Sequence, residues 1–170
     1  MLFALAIQLS VALVAPGRSL LVVGGSGYLG REVCRKAVSN GWNVVSLSRR
    51  GANPEPDSAE LSKVTWKAGA ADDEALLSEL CASSDAYVHS CAMLFDSESG
   101  LANLNVLTSG SGSQVADGAT YATAIAGTAL PLMTAAEAQG GGPLVFVSAI
   151  GAGDSLVGST LQKVAPDFCE

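Results

Sequence analysis

The stretch Leu20-Leu-Val-Val-Gly-Gly-Ser-Gly-Tyr-Leu-Gly30 constrains the fold more than any other part of the chain. An apolar run of strand length passes straight into four glycines. A helix-period segment follows from Leu29 to Asn40, with Gly41 where a helix needs a left-handed cap. The pattern is strand, tight turn, helix. The first amides of a helix have no internal acceptor and the helix dipole adds positive potential there, so the position suits an anion, above all a diphosphate that glycine lets approach the backbone. The spacing reads either as Gly25-x-Gly27-x-x-Gly30 or as Gly24-x-x-Gly27-x-x-Gly30. A second strand, Trp42-Asn-Val-Val-Ser-Leu47, arrives after about thirty residues, as a dinucleotide-binding βαβ unit requires. The alternative is that the glycines only close a tight strand-to-helix turn.

Composition narrows the class. A chain of 170 residues supports one sizeable core, and 49% apolar with only 15% charged residues suits a parallel sheet covered on both faces. The net charge of −7 argues against a nucleic-acid partner, which needs a positive footprint. Cys34, Cys81, Cys91 and Cys169 show no C-x-x-C spacing and no cluster with His89, the single histidine, so neither a metal site nor a disulfide framework is indicated. Cys34 and Cys81 read as buried apolar side chains. Residues 1–18 stand apart from a 19–170 domain. Residues 1–15 are apolar apart from Gln8 and Ser10, too short for an integral membrane span and of the length of a secretory-type signal core that could end at Ala15. No Lys or Arg precedes them, so a native leading strand or helix is the competing reading.

Helix one carries Leu29, Val33, Ala37 and Val38 on one face and packs that face on the sheet. Strand two runs out into Ser48-Arg49-Arg50, and no acidic residue stands between Glu32 and Glu55. An acid near this point holds the ribose of NAD, whereas an arginine receives the extra phosphate of NADP through paired charge-assisted hydrogen bonds. Arg49 and Arg50 therefore favour NADP(H) over NAD(H); a solvated basic pair is the alternative. Residues 51–60 read as an exposed loop by their Pro, Gly and acid content, and residues 63–68 as strand three.

Asp72 or Asp73 caps a helix through about Ser83, with Ala75, Leu76, Leu77, Leu80 and Cys81 as its apolar face. Residues 86–90 form strand four, and His89 at its end reads as a satisfied structural histidine. From Ala92 to Gly118 periodicity is lost, which marks either a lid at the ligand edge or an insertion. Thr120 to Gln139 is helical with Ala126, Leu130, Met133 and Ala136 toward the core, and Pro131 implies a kink or a later start. Residues 144–149 form strand five, with the continuous apolar character of a central strand. A short helical candidate lies at 159–164.

Five strands alternating with helices predict an open, doubly wound parallel α/β sheet of Rossmann type in the order 3-2-1-4-5. Ligands bind beyond the carboxyl ends of such strands, where the order reverses between strands one and four. The residues expected there are Gly24, Gly25, Ser26, Gly27, Tyr28, Leu29, Gly30, Ser48, Arg49, Arg50, Ala70, Ala71, Cys91, Ala92, Ser148 and Ala149.

Together, Val22-Val-Gly-Gly-Ser-Gly-Tyr-Leu-Gly30, Val45-Ser-Leu-Ser-Arg49, Val88-His-Ser90 and Leu144-Val-Phe-Val-Ser-Ala149 resemble the extended and atypical branch of the short-chain dehydrogenase/reductase superfamily. Within it the resemblance is to the group related to the nucleotide-binding accessory subunit of respiratory complex I, with its coenzyme-Q-associated and plant organellar members. The likeness covers about Ser19 to Gly153 and implies the Gly24, Gly27, Gly30 register, an NADP-favouring Arg49 and a catalytic-type serine near Ser148. Three departures stand out. Ala124 replaces the asparagine of the family's Asn-x-x-Gly-Thr helix, and Gly69-Ala70 replaces its Gly-Asp after strand three. No tyrosine follows Tyr121, so Ser159-x-x-x-Lys163 puts an alcohol where active members carry the acid-base tyrosine.

The resulting expectation is an NAD(P)H-binding protein that is not itself a dehydrogenase, truncated relative to full members. It would serve as an accessory or assembly factor with protein partners in an organellar redox system, in mitochondrion or plastid. The competing expectations are an active NADPH-dependent reductase or epimerase whose proton donor is nonstandard, with Ser148, Tyr121 and Lys163 as weak catalytic candidates, and a structural module that binds no nucleotide.

Overall fold

The computed structural model of the chain describes residues 17–92, 118–120 and 122–147. The apolar N-terminal segment, most of the 92–118 stretch, Tyr121, Ser148, Ala149, Lys163, Cys169 and the helical candidate at 159–164 lie outside the described residues. The first strand, β1 (Ser19–Val23), is buried from Leu20 onward and leads through the glycine turn into α1 (Tyr28–Ser39). Asn40 closes that helix, and Gly41 follows at φ +82, the left-handed conformation anticipated from the sequence. There follow β2 (Asn43–Ser48), a 3-10 turn (Leu61–Lys63), β3 (Thr65–Ala68), α2 (Glu74–Ala82) and β4 (Ala86–His89). After the undescribed stretch, a π-helical turn (Ala122–Ala126) runs into α3 (Gly127–Ala138), and β5 (Leu144–Phe146) follows.

All strand pairs are parallel, and the order is β3-β2-β1-β4-β5, as expected. The centre of the sheet is β1, with Leu21 opposite Val45 on one side and Tyr87 on the other. Alternation along the strands then divides the core in two. Leu21, Val23, Leu47 and Tyr87 pack with Leu77 and Leu80 of α2 and Leu132, Ala135 and Ala136 of α3. Leu20, Val22, Val44 and Val88 pack with Cys34 of α1 and with Leu61 and Val64. Helices cover both faces, and the carboxyl ends of β1 and β4 meet at a seam where the strand order reverses.

Several local expectations shift. Leu29 is 47% exposed rather than packed on the sheet. Within α3, Leu130 and Met133 are 60% and 44% exposed, while Ala129, Leu132, Ala135 and Ala136 face inward. Apolar residues surround this helix, so periodicity could not choose a face. The regular α-helix begins only at Gly127, after the π turn, so Pro131 acts as a later start: the bond it cannot donate would go to the Gly127 carbonyl at that junction. On α2, Ala75 is exposed. Finally, β5 lies at the edge of the described sheet, paired only with β4, and Val145 and Phe146 are 55% and 45% exposed. Its apolar run reflects residue type, not a central position.

Candidate dinucleotide site

At the end of β1 the chain reverses at Gly24, whose φ of +88 only glycine adopts readily. The Gly24 amide donates to the Leu47 carbonyl at 2.8 Å, and the Gly27 amide donates to the Gly24 carbonyl at 3.0 Å. Helix α1 then starts from Gly27, an N-cap with no side chain to offer its first turn. The Arg31 amide donates to the Gly27 carbonyl at 3.0 Å, but the amides of Tyr28, Leu29 and Gly30 have no acceptor among the described residues. Three donors at a helix N-terminus thus lack a partner among the described residues, beside a Tyr28 side chain that is itself 65% exposed.

The four glycines have different jobs. A Cβ on Gly24 would lie 2.9 Å from the Cys91 nitrogen and the Ser90 carbonyl carbon, so this residue lets β1 pass beside the end of β4. On Gly25 it would collide with the Ser46 hydroxyl and crowd Cys34 Sγ at 3.0 Å, and on Gly30 with the Gly24 carbonyl oxygen and Gly25 Cα. At Gly27, among the described residues, a Cβ would meet a single backbone oxygen, Gly24 O at 3.2 Å. Packing demands three of the glycines, and Gly27 is the least crowded of the four among the described residues. Both sequence registers are therefore real, one set by backbone approach to β4 and the other by packing of the turn on β2 and α1.

Around this turn the structure gathers the carboxyl ends of the neighbouring strands. Ser48 accepts the Gly51 amide on its hydroxyl at 3.2 Å and the Gly69 amide on its carbonyl at 3.1 Å, which ties the tips of β2 and β3 together. Arg49 and Arg50 are exposed at that tip. Ala70 is exposed at the end of β3, and a Cβ on the Gly69 before it would press on the end of the Leu76 side chain. At the end of β4, the Ser90 amide and hydroxyl donate to the Val23 carbonyl at 2.8 and 2.9 Å, and Cys91 and Ala92 follow. Burial pushes the Cys91 thiol up to about 11, opposed by the Thr128 hydroxyl and by the positive charge of Arg49.

Behind the seam, His89 is fully buried and stacked on Phe146 with ring centroids 5.2 Å apart. Its Nε2 meets Thr128 Oγ1 at 2.8 Å, while Nδ1 has no partner among the described residues. The structural role anticipated for His89 holds on one nitrogen only. Sequence reading missed Thr128 as its partner and also missed Glu55, which bridges Arg31 and Arg35. The i, i+4 spacing of those two arginines on α1 was the available signal. No group of three metal-ligating side chains occurs among the described residues, and no helix there is long and apolar enough to cross a membrane.

A parallel 3-2-1-4-5 sheet whose first strand turns through glycines onto open helix amides, at the reversal of strand order, defines a Rossmann-type dinucleotide-binding fold. Residues 24–168 match the model of the NAD(P)H-binding family, and the chain belongs to that family. It is 35% identical over 83 residues to MIOREX complex component 2 of Saccharomyces cerevisiae, covering 46% of this chain and 30% of that protein. An uncharacterized chloroplastic protein of Arabidopsis thaliana is 44% identical over 50 residues, 29% of this chain and 17% of that protein. The matched regions thus span less than a third of these curated relatives.

Among solved structures, the fold is similar to Pen from Bacillus thuringiensis, with TM-score 0.60 and 16% identity over 89% of this chain and 44% of that one. UDP-glucose 4-epimerase from Bifidobacterium longum, solved with NAD+ and UDP, gives TM-score 0.57 and 16% identity over 79% and 38%. At such identity these structures establish the fold alone.

Proposed function

We propose that this chain binds NADP(H) at the seam described above and serves as a non-catalytic accessory or assembly factor in an organellar redox system. The observation that carries the binding is three amides at the head of α1, on Tyr28, Leu29 and Gly30, without an acceptor among the described residues, beside the glycine turn. A diphosphate sits against those amides, with Gly24, Gly25 and Ser26 shaping the turn. Ser48, Arg49 and Arg50 would receive the adenosine end and its 2′-phosphate, Ala70 would border the adenine, and Cys91 and Ala92 would border the nicotinamide side. When bound, the cofactor supplies a hydride-carrying ring. The chain contributes positioning and charge, and Ser159-x-x-x-Lys163 offers no phenol for proton transfer.

Support for the accessory role comes from the yeast relative, named as the component of a complex, and from the chloroplastic location in the name of the plant relative. The test is a titration. NADPH at a hundred times its dissociation constant stabilises the fold by about 2.7 kcal/mol, with no carbonyl or quinone turned over. Arg49→Glu weakens NADPH more than NADH. A melting temperature and an intrinsic fluorescence that NADPH leaves unchanged remove the binding reading, and turnover removes the non-catalytic one.

A further inference from the structure

The loop that follows Arg49 and Arg50 is built to hold one carboxylate against α1. Residues 51–60 were expected to be exposed, yet Gly51, Asn53, Pro54, Glu55, Ser58 and Glu60 are all part-buried. The loop leaves β2 at Gly51, in the left-handed conformation at φ +57 and pressed so closely on the backbone of Ala68 that a Cβ has no room. Glu55 stands between Pro54 and Pro56, which restrict its backbone before any tertiary contact forms. Its amide donates to Asn53 Oδ1 at 2.9 Å, and its carbonyl accepts the Ser58 amide at 3.0 Å.

So presented, each carboxylate oxygen meets a different arginine of α1. Oε1 lies 3.1 Å from Arg31 Nε, and Oε2 lies 2.6 Å from Arg35 Nη2, while Glu32 takes the other Nη of Arg35. Arg31 and Arg35 are one helical turn apart, and Arg31 directly follows Gly30, the last residue of the glycine turn. An exposed ion pair contributes little to stability on its own. A carboxylate held at its backbone on both sides and shared between two guanidiniums fixes geometry more than it adds energy.

We propose that Glu55 is a positioning residue for the 2′-phosphate end of the dinucleotide. It ties the segment carrying Arg49 and Arg50 to the helix whose N-terminus seats the diphosphate, so that both phosphate subsites move as one body. The proposal rests on the NADP(H) reading above. Its consequence is a sign that charge counting alone reverses. Deleting a carboxylate paired with two arginines, in a chain segment that carries two more, should by Coulomb attraction alone tighten NADPH binding; loss of positioning weakens it.

The experiment compares NADPH and NADH affinities of the full chain and of Glu55→Gln, together with melting temperatures. Positioning predicts about a tenfold loss for NADPH, of the order of one charge-assisted hydrogen bond, with NADH changed less than about twofold. Arg35→Gln, which removes one arm of the bridge, shows the same selective loss, and Glu55→Gln/Arg35→Gln loses no more than either alone. If Glu55→Gln does not fold, Arg35→Gln is read by the same criterion. Tighter NADPH binding, equal losses for both dinucleotides, or no change overturns the proposal while leaving the site intact. A parent chain that binds neither dinucleotide instead removes the underlying functional reading, and the proposal with it.

Discussion

The imidazole Nε2 of His89 and the hydroxyl Oγ1 of Thr128 share a hydrogen bond across 2.8 Å. The same hydroxyl lies 2.8 Å from the Ala124 carbonyl and 3.1 Å from the Ile125 carbonyl, and a carbonyl can only accept. The hydroxyl is thus shared between the imidazole and the carbonyls of the π turn. The last residue of β4 is thereby pinned to the start of α3, directly behind the end of the strand that borders the seam.

Acidification should therefore weaken the fold through this residue. Burial lowers the imidazole's pKa below its ordinary 6.5, so below that value the unfolded chain takes up a proton that the folded chain resists. Stability is full above about 6.5 and falls as pH drops toward the lowered folded-state value. Melting temperatures from pH 8 to 5.5 should decline for the parent chain and flatten for His89→Asn at a lower plateau. A parent chain with no slope in that window contradicts the burial described.

The glycines separate scaffold from ligand contact. Gly30→Ala and Gly24→Ala meet backbone atoms, and Gly24 also carries a left-handed penalty of about 1–2 kcal/mol, so both lose stability in denaturant melts. Gly27→Ala meets one oxygen at 3.2 Å and keeps its stability within about 1 kcal/mol. It should nonetheless lose dinucleotide binding in a fluorescence titration; retained affinity would move the diphosphate away from this turn.

Helix α2 depends on its cap. Asp73 Oδ1 accepts the Leu76 amide at 3.0 Å, so Asp73→Ala should cost about 1 kcal/mol, with Asp73→Asn nearly neutral. Chemical denaturation of the two variants decides it: equal losses would mean that the carboxylate's charge, not its acceptor oxygen, matters.

Thiol chemistry reports on the two core layers. Burial pushes Cys34 up to about 12 and Cys81 up to about 11, so neither supplies thiolate at neutral pH. Peptide mapping after alkylation at pH 7.5 should find both unmodified in the native protein and both modified in denaturant. Rapid native labelling of Cys34 would place α1 off the sheet.

Leu21 and Leu132 occupy the same core layer, both with no exposed surface. Leu21→Ala and Leu132→Ala should each destabilise by about 2–5 kcal/mol, and the double variant by less than the sum if their cavities merge. Urea denaturation midpoints at constant slope measure both.

The sheet order and the open amides at the head of α1 were legible in the sequence because they follow from local rules. A strand, a glycine turn and a helix in thirty residues leave few topologies, and the missing N-cap side chain at Gly27 is itself a sequence fact. The inward face of α3 was not legible, because apolar residues surround that helix and a π turn precedes it. Nor was the apparent centrality of β5, since residue type reports hydrophobicity and only pairing reports position. The ion pair of Glu55 with Arg31, its hydrogen bond with Arg35, and the bond of His89 with Thr128 join residues 20 or more apart, and no periodicity encodes them. They exist only once the sheet has brought its helices together, because a hydrogen bond needs a few ångströms of proximity that chain order cannot specify.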